Sequence, residues 1–243
     1  MTGGGTGIGR GIAAVLAADG VHVVLFGRRE QVLADTAREL SAAYPGTTVV
    51  WQAADLTDPA QVQAAVGGAV GQVGESVDIV VNNAGGVVPA RPAALAGLAA
   101  EWHAVYDRNV LTAVLLTTAV LSRLRRPGGR IISIGSIAAL RGAGPYGAAK
   151  AALHAWSLGL AASVGSDGIT VNVVAPGFVP DTGLWAGRLT DGYYRARVSE
   201  TLVGRPGTPQ DVAAAVRWLA GPDAGFVTGQ IVQVNGGAVL GRG

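Results

Sequence analysis

The chain has no cysteine, one methionine and one lysine in 243 residues. Without cysteine there are no disulfides and no thiolate metal sites, a pattern that fits a cytosolic compartment without proving one. His22, His103 and His154 lie too far apart in sequence to suggest a metal centre and read as packed or surface residues. Charge is scarce as well, at 14% of residues. The pI is 9.3, but the formal net charge is only +2 and the arginines are scattered. Nucleic-acid binding calls for a clustered basic face, so no nucleic-acid partner is expected. No continuous apolar run reaches bilayer length and no signal-peptide pattern is present, so no membrane partner is expected either. What is abundant is apolar residues, 49% of the chain, enough to bury a large core and too many for a disordered chain.

Apolar periodicity and turn residues predict alternating helices and strands. Helices are expected over 8–18, 31–43, 58–73, 101–125, 145–164 and 209–220. Strands are expected over 21–26, 48–53, 77–81, 130–135, 170–174 and 230–234. A proline-bearing loop (Pro89, Pro92) precedes the long helix, and residues 176–207 read as irregular. Such alternation gives an α/β, Rossmann-like, doubly wound parallel sheet. The expected organisation is one domain over 1–243, with 178–205 as a cap over the strand ends.

The stretch Thr2-Gly-Gly-Gly-Thr6-Gly7-Ile8-Gly9 reads as a glycine turn opening a helix. Glycines permit close backbone approach to a phosphate, and a helix N-terminus offers it free N–H groups. This motif normally follows a strand, and here only Met1 precedes it. The expectation is that the central strand is missing from this sequence, with the natural start lying upstream, and that the fold and cofactor binding are weakened if it is not supplied.

Ligands of such sheets bind beyond the carboxyl ends of the strands. Asp55, Asn82, Asn83, Ser136 and Pro176-Gly177 all fall there. Tyr146 and Lys150 stand four apart, so they share a helix face. A cation one turn away favours the phenolate, which would let the tyrosine exchange a proton near neutral pH. The alternative is a surface tyrosine beside a solvated lysine. That the chain's one lysine falls here weighs against it.

Together these stretches resemble the short-chain dehydrogenase/reductase family, and the ending 205–212 and 229–237 resembles its 3-oxoacyl-carrier-protein reductases. The matching residues are the Thr2–Gly9 turn, Asp55, Asn82-Asn83-Ala84-Gly85, Asn109, Ser136, Tyr146–Lys150, Pro176-Gly177 and Val234-Asn235-Gly236-Gly237. The resemblance implies a nicotinamide-dependent oxidoreductase acting on a carbonyl or alcohol. It implies Tyr146 as proton donor, Ser136 as holder of the carbonyl oxygen, Lys150 as partner of Tyr146 and of the nicotinamide ribose, and Asn109 as a helix kink that positions a relay water. Gly3, Thr6, Gly7, Ile8 and Gly9 would bind the cofactor, Asp55 its adenine, Asn82, Ala84 and Gly85 the adjoining ribose. Pro176, Gly177, Val179 and Thr182 would lie near the carboxamide. Plainer readings remain: Asp55 as a helix cap, Asn82-Asn83 as turn residues, Asn109 as an exposed helix residue.

Where an NAD enzyme has an acid after the second strand, this chain has Gly27-Arg28-Arg29. An arginine there can pair with a 2′-phosphate. The expected cofactor is therefore NADP(H) rather than NAD(H), with Arg28 as the main contact and Thr6 a second; the alternative is that both arginines are solvated. Ser136 precedes Tyr146 by ten residues, fewer than the family commonly uses, which makes Ser133 a rival and 137–145 a trimmed, flexible loop. Arg125, Arg126 and Arg130 suggest a docking patch for acyl carrier protein. The resemblance implies a homodimer or homotetramer packed through helices 101–125 and 146–164. The competing function is a nucleotide-binding protein of the same fold without turnover.

Overall fold

The structure, a computed structural model, describes residues 1–89, 94–185, 187 and 189–241. Pro92 of the expected loop and Ala186 and Arg188 of the expected cap lie outside the described residues. The glycine turn enters α1 (Gly7–Ala18), and the alternation continues through β1 (Val23–Gly27), α2 (Glu30–Ala43), β2 (Val49–Ala53), α3 (Pro59–Val73) and β3 (Ile79–Asn82). A continuous helical segment follows: α4 (Leu95–Tyr106), a π-turn (Asp107–Leu111), α5 (Thr112–Val120) and a 3-10 turn (Leu121–Arg123). Then come β4 (Arg130–Ile134), α6 (Ala138–Arg141), α7 (Gly144–Val164), β5 (Thr170–Pro176), α8 (Asp191–Ser199), α9 (Pro209–Ala220) and β6 (Ile231–Val234).

All strand pairs are parallel, in the orders β1-β2 and β3-β4-β5-β6. The central strands are apolar on both faces because helices cover both. Val81 and Ile132 meet α1, α2 and α9 through Ile12, Leu16, Leu33, Val212 and Val216. Their neighbours Val80 and Ile131 meet α3, α5 and α7 through Val62, Leu116 and Val164. Successive strand side chains thus feed two cores, each fully buried Ile or Leu contributing roughly 2 kcal/mol.

Two segments are more ordered than the sequence suggested. Residues 138–141 form α6, begun where the Ser136 hydroxyl accepts from the Ala138 N–H at 3.1 Å. Within 176–207, α8 forms with Thr190 as its cap, Thr190 Oγ1 accepting from Tyr193 N–H at 3.3 Å. That helix is polar, so it shows no apolar stripe. Aromatic edges anchor it, the Phe178 ring lying 5.6 Å from Tyr194 and 5.3 Å from Trp185.

Counted as one helix, Leu95–Arg123 is 29 residues long with a mean hydropathy of 1.2 over its most apolar window, long and apolar enough to cross a bilayer by those measures. The sequence hid this because Glu101, Asp107 and Arg108 interrupt the apolar run, while the helix continues through them. Here the segment packs against α3 and α7, and 44% of that window is buried.

Between β1 and β3 there is a seam in place of a full strand. Only the first three residues bridge it: Phe26 N–H donates to Met1 O (2.9 Å), Gly3 N–H to Phe26 O (2.7 Å), and Thr2 N–H to Val81 O (3.0 Å). The Met1 α-amino group adds a fourth bond across it, donating to Val24 O at 2.6 Å.

Candidate active site

The glycine turn lies at the seam, at the carboxyl ends of β1 and β3. Gly7 has φ +52°, which lets the chain turn sharply into α1. Gly9 lies so close to the turn that a Cβ would come within 2.1 Å of Gly3 O, closer than any side chain tolerates. Asn83 holds the turn in place. Its side-chain amide donates to Thr2 O and Gly3 O, both at 3.1 Å. The Thr2 hydroxyl accepts in return from Asn83 N–H (2.9 Å) and Ala84 N–H (2.7 Å).

The turn forms one wall of a crevice of about 850 Å³. Gly3, Thr6, Gly7, Ile8, Gly9, Arg28, Asp55, Ala84, Gly85, Ser136, Tyr146, Lys150, Pro176, Gly177, Val179 and Thr182 all line it. Asn82 and Asn109 do not. Asn82 is buried in the fold, donating to Thr117 Oγ1 at 2.8 Å, because its strand position turns it toward α5. Asn109 is fully buried in the π-turn. Its Nδ2 donates to Gly86 O (2.7 Å) and Val105 O (2.8 Å), and its Oδ1 accepts from Gly86 N–H (3.0 Å). Both amide donors are therefore occupied by backbone, and Asn109 fixes the Gly85-Gly86 loop.

Tyr146 and Lys150 share the inward face of α7, and Ser136 follows β4. Ser133 takes no part in the crevice; it is buried and accepts from Ser157 Oγ at 3.2 Å. Lys150 is buried, its Nζ donating to Ile134 O at 2.9 Å and lying 5.8 Å from the Tyr146 ring centroid. Burial lowers its pKa from the ordinary 10.5 to about 8. The expected lowering of the Tyr146 pKa by Lys150 is not what this arrangement gives. Burial dominates and pushes the phenol up, with Ser136 pulling it partly back. One turn further on, burial and then the Lys150 charge hold His154 down to about 4, and its Nε2 has no partner among the described residues.

Known proteins similar to this chain identify its family. A family model described as "Enoyl-(Acyl carrier protein) reductase" matches residues 3–239. The 3-oxoacyl-[acyl-carrier-protein] reductase FabG of Escherichia coli (strain K12) is 35% identical over 244 residues, covering 99% of this chain and 96% of that protein. The chain belongs to the short-chain dehydrogenase/reductase family. The short-chain reductase protein NovJ of Streptomyces niveus is 37% identical, with 98% and 92% covered. The crystal structure of a blue fluorescent protein from a metagenomic library, in complex with NADPH, superposes with a TM-score of 0.88 at 34% identity, covering 99% of this chain and 96% of that one.

Other charged groups of this short-chain dehydrogenase/reductase divide in two. Arg29 and Arg108 line the crevice together with Arg28 and Asp55, and Arg29 donates to Thr6 Oγ1 at 3.2 Å. Sequence reasoning weighed Arg29 only beside Arg28, placed Asn83 at the strand end without a role of its own, and passed over Arg108. The pair Arg28-Arg29 was the visible signal, whereas nothing in the sequence showed which way the π-turn aims Arg108. The basic patch, in contrast, has partners within the chain. Arg125 pairs with Asp78 (2.9 Å) and Arg126 with Asp167 (3.0 Å), while buried Arg130 donates to Gly128 O at 3.0 Å. Arg130 is thus withdrawn from the surface, whereas Arg125 and Arg126 stay exposed beside their acidic neighbours.

The buried lysine sets a pH dependence with a definite sign. Its folded pKa, about 8, lies below its ordinary 10.5. Under pH 8 both states carry the proton and the fold bears the full cost of the buried charge; above pH 10.5 neither does. Any stability gained by Lys150→Met is thus expected to be largest below pH 8 and to shrink as pH rises toward 10.5. Denaturant melts at several pH values check this, and a gap independent of pH would contradict it.

Proposed function

We propose that the protein is an NADP(H)-dependent oxidoreductase that interconverts a ketone and its secondary alcohol. One observation carries the reading: Tyr146, Lys150 and Ser136 line the same crevice as the glycine turn, in which Gly3, Gly4, Gly5 and Gly9 leave no room for a Cβ. The residues present suit a dinucleotide. The turn and the N-terminal N–H groups of α1 would take the pyrophosphate. Asp55, Ala84 and Gly85 would border the adenosine half, and Pro176, Gly177, Val179 and Thr182 the nicotinamide half. Asn109 serves as a positioning residue through Gly86. Arg28 and Arg29 after β1 would favour a 2′-phosphate, and the metagenomic neighbour's NADPH supports that choice.

When bound, the cofactor supplies a hydride to the carbonyl carbon. The chain's own residues manage the oxygen. Ser136 donates a hydrogen bond that holds and polarises the carbonyl. The raised pKa keeps Tyr146 protonated at neutral pH, so it has a proton to give. As negative charge develops on oxygen, the Tyr146 O–H bond breaks, the alcohol O–H forms, and a phenolate remains. The Lys150 ammonium, 5.8 Å from the ring, would attract the phenolate charge once it forms, an effect smaller than the burial that raises the resting pKa, and would also reach the nicotinamide ribose. Alcohol oxidation runs through the same groups in reverse, with the phenolate as base.

The substrate class suggested by the Escherichia coli relative is a 3-oxoacyl thioester carried by acyl carrier protein. The partner proposed for assembly is a second copy of this chain, as homodimer or homotetramer. Leu95, Leu98, Trp102 and Tyr106 leave an exposed apolar stripe along α4, beside α7, which supports that packing.

The test is the NADPH absorbance band in the presence of a panel of ketones and 3-oxoacyl thioesters. Turnover is expected, and Tyr146→Phe is expected to lower kcat by at least about 10²-fold without weakening NADPH binding. Nucleotide binding without turnover on every substrate would favour the non-catalytic reading. In the same assay Arg28→Gln is expected to raise KM for NADPH about tenfold and leave that for NADH unchanged; a wild-type preference for NADH would overturn the cofactor assignment.

A further inference from the structure

Arg108 immediately precedes Asn109 in the π-turn Asp107–Leu111. The wider turn separates the two neighbours: Asn109 is fully buried against the backbone, whereas Arg108 is half-buried and lines the crevice. One Nη of Arg108 donates to Val87 O at 3.1 Å, which anchors the guanidinium and leaves other N–H donors available. The charged residues lining the crevice are Arg28, Arg29, Asp55, Asp107, Arg108 and Lys150. Lys150 belongs to the Tyr146 end and is bonded to Ile134 O. Among the described residues, no carboxylate lies within ion-pairing distance of Arg28, Arg29 or Arg108. Asp55 is already committed, its Oδ1 accepting from Thr57 N–H (3.0 Å) and Thr57 Oγ1 (2.8 Å).

These groups feel one another. Burial first, and then repulsion from Arg28, lowers the Arg108 pKa, while attraction to Asp55 works the other way. Two guanidiniums in mutual repulsion, with Asp55 attracting both but within ion-pairing distance of neither, are relieved by a bound anion. An anion carrying two charges on tetrahedrally arranged oxygens can take donors from both.

We propose that Arg108 is a further cofactor-binding residue, which together with Arg28 brackets the 2′-phosphate of the adenine ribose. The inference rests on the reading of the crevice as an NADP(H) site and adds to it a second, separate source of selectivity. Preference for the phosphorylated nucleotide is then set from two elements, the loop after β1 and the π-turn. The same π-turn fixes the loop behind the catalytic groups through Asn109.

The experiment is a set of fluorescence or calorimetric titrations of wild type, Arg108→Gln and Arg108→Lys. The ligands are NADPH, NADH, adenosine 2′,5′-bisphosphate and AMP. Arg108→Gln is expected to weaken NADPH and the bisphosphate about tenfold or more while leaving NADH and AMP within about twofold. Arg108→Lys, which keeps the charge but loses the fork, is expected to fall between. The wild-type advantage of NADPH over NADH should shrink with added salt. Equal weakening of all four ligands would assign Arg108 a structural role through Val87 and overturn the proposal, as would unchanged NADPH affinity. Wild type that binds neither NADPH nor the bisphosphate would instead bring down the cofactor reading itself.

Discussion

The joint between Thr2-Gly3 and Asn83-Ala84 governs the geometry of the whole site. Four hydrogen bonds cross it, two accepted by the Thr2 hydroxyl and two donated by the Asn83 amide. Each contributes on the order of 1 kcal/mol net, but removing one partner would leave the other buried and unsatisfied at greater cost. A full central strand would tie the two sheets together by a ladder. Here side chains carry much of that task, exactly where the glycine turn must be held still. The positions of α1, the turn and the loop after β3 therefore depend on a few polar groups in addition to apolar packing.

The same reliance on buried polar groups continues along α7. Its inward face presents Tyr146, Lys150, His154 and Ser157 in succession toward β4. Burying an ammonium in this row costs stability, and burial lowers the pKa of Lys150 and of His154 alike. A helix selected for stability alone would place leucine at such positions. The arrangement is what one expects where cation and phenol must stay within a turn of each other, away from bulk water.

Much of this was legible in the sequence. The alternation of elements, the glycine turn and the Tyr146–Lys150 pair are local patterns, set by period and turn chemistry, and they appear near the expected positions. Strand-end placement brought Ser136 to the crevice and kept Ser133 in the core, as alternation along β4 requires. What was not legible depends on partners distant in sequence. The polar helix α8 gains its order from Phe178 and from its Thr190 cap. Asn82 and Asn83 are adjacent and chemically identical, yet one turns to Thr117 and the other to the glycine turn. The direction of the Tyr146 pKa shift was missed because spacing shows a neighbouring charge but not the exclusion of water.

Arg141 gives the site a mechanical property. Standing in α6, just past Ser136, it bonds both Glu200 beyond α8 and the carbonyl of Ala238, while Glu200 also pairs with Arg197. Three remote stretches are thus latched by one side chain. Displacing any one of these stretches breaks bonds that also hold the other two.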